Sequence, residues 1–273
     1  MTAKPPEAGR GGGGRFGVPV ALLLPAVCGL AFLVLPLVGL VARAPWSTLP
    51  QRLAEPGVLT ALRLSVQTAT VATVVCLILG VPLAWLLARV EFPGRRLVRA
   101  LVTVPLVLPP VVGGVALLTV LGRRGLVGSW LDAWFDVTLP FTTTGVVLAQ
   151  AFVALPFLVI AVEGALRGAD TRYEEAAATL GATRWATFIH VTLPLAAPGV
   201  AAGAVLCWAR ALGEFGATVT FAGNFPGRTQ TMPLAVYLAL ETDPQAAIVL
   251  SLLLLAVSVA VLAALRDRWL TTP

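Results

Sequence analysis

The sequence predicts an all-α membrane protein, and three observations carry that prediction. The 273 residues are 58% hydrophobic and only 12% charged, with mean hydropathy +0.91, a composition foreign to ordinary soluble domains. Six apolar stretches are each long enough to cross a hydrocarbon core about 30 Å thick, which takes roughly 20 helical residues. Within them the apolar residues run on continuously, without the alternation of an outer-membrane barrel strand. The six spans fall near residues 16–42, 64–88, 100–121, 144–166, 199–222 and 246–265.

Residues 1–15 hold Lys4, Arg10, Arg15 and the run Gly11 to Gly14, too polar and glycine-rich to pack, and are expected to form a disordered tail. Ala42-Arg43-Ala44 resembles a signal cleavage site. The apolar run before it exceeds the about 7–15 residues of a signal core, so it reads as a retained first helix. Prolines 25, 36, 82, 105, 109, 110 and 156 lie inside spans, where neighbouring helices can satisfy the freed carbonyls. They imply kinks and not necessarily breaks, with the run from Pro109 to Gly114 the expected irregular point. Cys28, Cys76 and Cys207 lie in three different spans without metal-like spacing and read as buried small hydrophobes, so neither a disulfide framework nor a zinc site is expected.

Orientation follows from the basic residues. With the N-terminus inside, Lys4, Arg10, Arg15, Arg89, Arg95, Arg96, Arg99, Arg167, Arg172, Arg184, Arg266 and Arg268 all fall on the cytoplasmic side, twelve of the 19. The positive-inside rule therefore expects both termini in the cytoplasm of a multi-pass inner-membrane protein. The net charge of +6 is spread over helix flanks and implies no nucleic-acid partner. The one histidine, His190, lies outside every predicted span, so a Ser/His protease within the bilayer is not expected, and the one lysine, Lys4, rules out a P-loop in this chain.

Between the fourth and fifth spans, residues 170–198 are polar and read as two short helices meeting at Gly181. Thr171 and Glu174 have capping-box spacing for a first helix from Arg172, and Gly181 can close it in the left-handed conformation. Thr183 can cap a second helix through Arg184, Trp185, Phe188 and Ile189, which Pro194 is expected to end. Tyr173, Ala176, Ala177 and Leu180 share one face of the first helix. Such a hairpin suits docking into a groove of a soluble partner, or is an ordinary surface loop.

Glu175-Ala176-Ala177, then Gly181, Val191 and Leu193-Pro194 at their spacings resemble the EAA loop of ABC importer permeases, with Val191 where that family usually has Ile. The resemblance implies a type I ABC importer permease fold of six transmembrane helices, with 16–273 as the permease domain and 167–198 as the coupling loop. It makes Glu174, Glu175, Ala176, Ala177, Gly181, Leu193 and Pro194 the residues that couple to the ATPase. It further implies a homodimer, cytoplasmic ABC ATPase subunits and an extracytoplasmic oxyanion-binding protein as partners, no cofactor, and no enzyme activity in this chain itself.

Arg210 and Glu214 lie one turn apart in the fifth span, where each would cost about 2.5–3.5 kcal/mol facing lipid. They read either as a structural ion pair or as part of the pathway. Glu163, near the end of the fourth span, is expected to snorkel. The runs 209–218, 221–224 and 226–234 resemble the oxyanion branch of the family, most of all its molybdate permeases, and 227–234 is closer to the molybdate than to the sulfate permeases. The sulfate and thiosulfate permeases are the alternative within that branch, and an ion-gradient-driven secondary transporter the alternative outside it. Arg123, Arg124, Arg210 and Arg228 near the outer half favour an anion.

Overall fold

A computed structural model of the chain describes residues 20–266. The expected tail at 1–15 and Arg268 lie outside them. The described residues are helical with no strand, and fall into two compact units that divide between Arg43 and Ala44. The first contributes α1 (Val20–Ala42), apolar on every face and unbroken despite Pro25 and Pro36.

The second unit is built on three long helices. α3 (Pro56–Arg89) follows a five-residue helix α2 (Leu49–Leu53). Its threonines Thr60, Thr68, Thr70 and Thr73 each donate to the carbonyl four residues back at 2.7–2.9 Å, so their hydroxyls can sit in an apolar medium. At 34 residues and about 1.5 Å of rise each, α3 is longer than the hydrocarbon core is thick. α7 (Thr143–Gly168) runs beside it, and α10 (Leu193–Leu212) completes the core. Ala69, Ala72, Cys76 and Ala84 of α3 meet Ala151, Ala154, Leu158, Val159 and Val162 of α7 and Cys207 and Ala211 of α10. Small residues set the spacing. A Cβ on Gly199 would overlap Ala165, and one on Gly203 would come within 3.1 Å of Ala161 and Leu158, so α7 and α10 approach backbone to backbone.

The third predicted span is two helices, α4 (Arg95–Val107) and α5 (Pro110–Leu121), meeting at 118°. The break falls at Leu108 and Pro109, both extended, because a residue before proline is pushed out of the helical region. The expected irregular point lies here. Beyond a short helix α6 (Gly128–Phe135), two departures from the sequence reading follow. The span expected at 199–222 is divided: α10 ends at Leu212, and a separate α11 (Gly216–Ala222) turns back against Gly114 of α5. The linking segment 223–243, unassigned from sequence, contains an eleven-residue helix α12 (Met232–Thr242) before α13 (Pro244–Arg266). Met232 and Leu234 are buried, and the Met232 N–H donates to Ser65 Oγ at 2.7 Å. Among the described residues five helices are long and apolar enough to span a membrane, and six spans result if the bent α4–α5 pair is counted as one.

Candidate functional site

α8 (Arg172–Thr179) and α9 (Arg184–Thr187) form the hairpin that links α7 to α10. Its turn closes as local chemistry dictates. Gly181 sits at φ +84°, its N–H donates to Ala178 O, and the Ala182 N–H reaches back to Ala177 O, both at 3.0 Å. This pair of bonds is the Schellman closure, which places the left-handed residue one past the cap. Thr183 caps α9 by accepting from the Ala186 N–H at 3.2 Å.

The start of α8 differs from expectation. Thr171 makes no side-chain cap, and the Arg172 N–H donates instead to Asp170 Oδ1 at 2.9 Å. The Glu174 carboxylate is drawn away to Arg89 at the end of α3, with Nη2 and Nε at 3.0 and 3.1 Å from Oε1, so it cannot close a capping box. Pro194 does not end the second helix either. Phe188–Thr192 form a π-helical turn in which the Leu193 N–H donates to Phe188 O, and the chain continues as one 29-residue helix from Arg184 to Leu212. The wider turn tolerates Pro194 in the first turn of α10, where its missing N–H and the clash of its ring with the preceding turn do least harm.

The hairpin thus has an inner and an outer face. Glu174 and Ala177 are half-buried, while Tyr173, Glu175, Ala176 and Leu180 are exposed, Leu180 to 88%. Trp185 is exposed and stacks on Phe188, which meets Trp85 of α3 edge-on. Between hairpin and α3 lies a cleft of about 380 Å³, lined by Trp85, Arg89, Glu174, Ala178, Thr187 and Phe188. Leu193 is half-buried and Pro194 exposed.

Next to the hairpin, Glu163 does not snorkel. It is buried in α7, and its Oε1 takes Arg99 of α4 and Arg167 of its own helix, each at 2.7 Å. Arg95 donates to Leu87 O at 2.6 and 2.9 Å and Arg99 to the same oxygen at 3.3 Å, so the last turn of α3 is capped by side chains of α4. Arg167 stands at the i,i+4 spacing that sequence offers, whereas the partners on α4 lie beyond any local signal.

At the other end, Arg210 Nη1 lies 2.6 Å from Glu214 Oε2, with Glu214 buried and Arg210 half-buried. That oxygen meets the guanidinium at ion-pair distance without a well-aligned hydrogen bond. The second oxygen accepts from the Ala217 N–H at 2.8 Å and caps α11. Glu214 therefore holds the corner between α10 and α11. Arg123, Arg124 and Arg228 of the four counted from sequence are exposed, Arg123 while paired with Asp132 at 2.9 Å.

A bundle of apolar spans carrying one solvent-facing helical hairpin defines a multi-pass membrane protein. The chain belongs to the family described as the binding-protein-dependent transport system inner membrane component, whose pattern matches residues 80–272. It is 50% identical over 251 residues to the molybdenum transport system permease protein ModB of Mycobacterium tuberculosis, covering 92% of this chain and 95% of that one. In Escherichia coli, ModB is 44% identical over 77% of this chain and 92% of its own, and the sulfate transport system permease protein CysT 38% identical over 84% of each. The crystal structure of a bacterial ABC transporter that imports alginate superposes with TM-score 0.76 over 93% of this chain and 96% of that one, at 18% identity. The type I ABC importer permease fold implied by the EAA resemblance is thus the fold of this chain. The residues that resemble the EAA loop are the ones that form this hairpin and its passage into α10.

Proposed function

We propose that the chain is the permease subunit of an ATP-driven importer that carries molybdate, and tungstate with it, across the cytoplasmic membrane. The observation that carries the substrate is the identity to ModB, 50% over nearly the whole of both chains, against 38% to the sulfate permease. Two copies supply the pathway around a two-fold axis, since one chain of this size forms half of it. Both termini and the hairpin lie in the cytoplasm, the orientation that the distribution of basic residues favours. The exposed face of Tyr173, Ala176 and Leu180, together with Glu175, meets a separate ATPase, and Gly181 sets the angle at which it does so. An oxyanion-binding protein delivers cargo from outside, and ATP binding biases a switch between inward-facing and outward-facing states.

Deleting the gene should lower cellular molybdenum and the activity of molybdenum enzymes in trace-molybdate medium, and excess molybdate should restore both. A deletion strain with normal molybdenum that cannot grow on limiting sulfate would move the assignment to the sulfate branch. Uptake that persists without ATP and follows an ion gradient would favour a secondary transporter.

A further inference from the structure

We propose that the Arg89–Glu174 ion pair is the strut that carries movement of the hairpin to α3, so that Glu174 is a positioning residue for transport and not a contact with the ATPase. The inference rests on the importer reading above. It divides two adjacent acids of one motif between opposite faces: Glu175 is exposed, whereas Glu174 points inward and is spent within the chain.

Three observations support it. The hairpin is joined through the backbone to α7 and α10 but not to α3, so α3 must feel it through side chains. The pair bridges 85 residues of sequence to do this, with both partners largely buried and Arg89 also reaching Ala169 O at 3.5 Å. Second, the pair stands at the edge of a cleft. The space lined by Trp85, Ala178 and Phe188 is open, so no continuous apolar layer locks hairpin to α3, and the ion pair and the Trp85–Phe188 ring contact act as separate posts across the gap. Third, Arg89 is the last residue of α3, and the carbonyls just before it are held by Arg95 and Arg99 of α4. Displacing Arg89 therefore moves the base of α4, and α4 leads into the 118° elbow with α5. A push on the hairpin is routed along Glu174, Arg89 and the α3 terminus to the sharply bent α4–α5 span. The cation at the α3 C-terminus also suits the helix dipole, so the strut is stable at rest.

The test uses the whole complex, with ATPase and binding protein, in proteoliposomes, reading molybdate uptake, ATP hydrolysis and co-purification of the ATPase. Glu174→Ala and Arg89→Ala should keep the ATPase and its KM for ATP, while uptake and the binding-protein-stimulated kcat fall about tenfold, the scale of a typical coupling between sites. The reversed pair R89E/E174R should recover uptake to within about twofold of wild type, as a double-mutant cycle requires of a direct interaction. Arg89→Lys, which keeps the cation, decides the matter if the reversed pair does not fold: uptake near wild type supports the strut, and uptake as low as in Arg89→Ala overturns it. Loss of the ATPase from Glu174→Ala on purification would make Glu174 a docking residue and sink the proposal, as would unchanged uptake. A well-folded reversed pair that recovers nothing sinks it too. A wild-type complex that takes up no molybdate would instead refute the importer reading.

Discussion

Replacing Glu163 by alanine removes the carboxylate on which two arginines converge inside α7. The loss can be worked from its two arms. Arg167 lies one turn along the same helix and is 47% exposed, so its arm is worth about 0.3–0.5 kcal/mol, the usual value of an exposed i,i+4 pair. Arg99 comes from α4 and makes two bonds to Oε1, Nε at 3.1 Å and Nη2 at 2.7 Å, in a setting where Glu163 is 10% exposed. Hydrogen bonds to charged groups contribute about 1.5–3 kcal/mol. Arg99 would keep Leu87 O as an acceptor at 3.3 Å, so the variant should fall short of the about 3–5 kcal/mol of a stranded buried charge. The expected cost is about 2–3 kcal/mol. It can be read as a shift in the unfolding midpoint in mixed micelles, followed by tryptophan fluorescence. Arg99→Gln combined with Glu163→Gln should couple by about 1 kcal/mol or more if the bonds are direct. A cost below about 0.5 kcal/mol, the range of ordinary surface substitutions, would mean that the carboxylate is solvated and that α4 is not held to α7 through it.

Glu214→Ala strips both the ion pair and the α11 cap and strands Arg210, a loss of about 3–5 kcal/mol, whereas Arg210→Met with Glu214→Leu removes the charges together and should forfeit little beyond the cap, about 1 kcal/mol. Folded yield by size exclusion should be lower for the single variant than for the double, and equal yields would show that the pair is hydrated. Just before the start of α3, Arg52 lies 2.6 Å from Asp243 and, with the Ala246 and Gln245 N–H groups, holds that carboxyl below its ordinary value of 3.8. A depressed carboxylate contributes stability that is present above the unfolded value and lost as pH falls through the folded one, so acid below about pH 4 should loosen the α12–α13 corner. Asp243→Asn should remove that acid dependence from the melting profile, and a wild-type profile flat from pH 5 to pH 3 would contradict the linkage.

What could be read in advance was local. The hydropathy of the spans, the glycine turn at 181, the Thr183 cap and the irregular point at Pro109 each depend on a few consecutive residues, and each is present. What escaped needed partners far along the chain. Glu174 looked like half of a capping box until Arg89, 85 residues away, claimed its carboxylate. Glu163 looked able to snorkel because Arg99 is 64 residues away. Pro194 looked like a helix end because a π-helical turn has no simple sequence signature. α12 is apolar yet too short for a span, so hydropathy placed it in a loop, and the acceptor that fixes its first turn, Ser65, belongs to another helix.

The near-touching backbones of α7 and α10 at Gly199 and Ala165 bear on what the hairpin can do mechanically. Both of its ends are welded to helices clamped side by side, so the distance between its feet is fixed by van der Waals radii. It is a bracket, able to tilt but not to stretch. A protein that grips the bracket can apply torque to the clamped pair, and cannot spend its stroke in lengthening the grip. Bulk introduced at Gly199 would widen the feet, altering the gauge of the bracket without changing a residue on its exposed face.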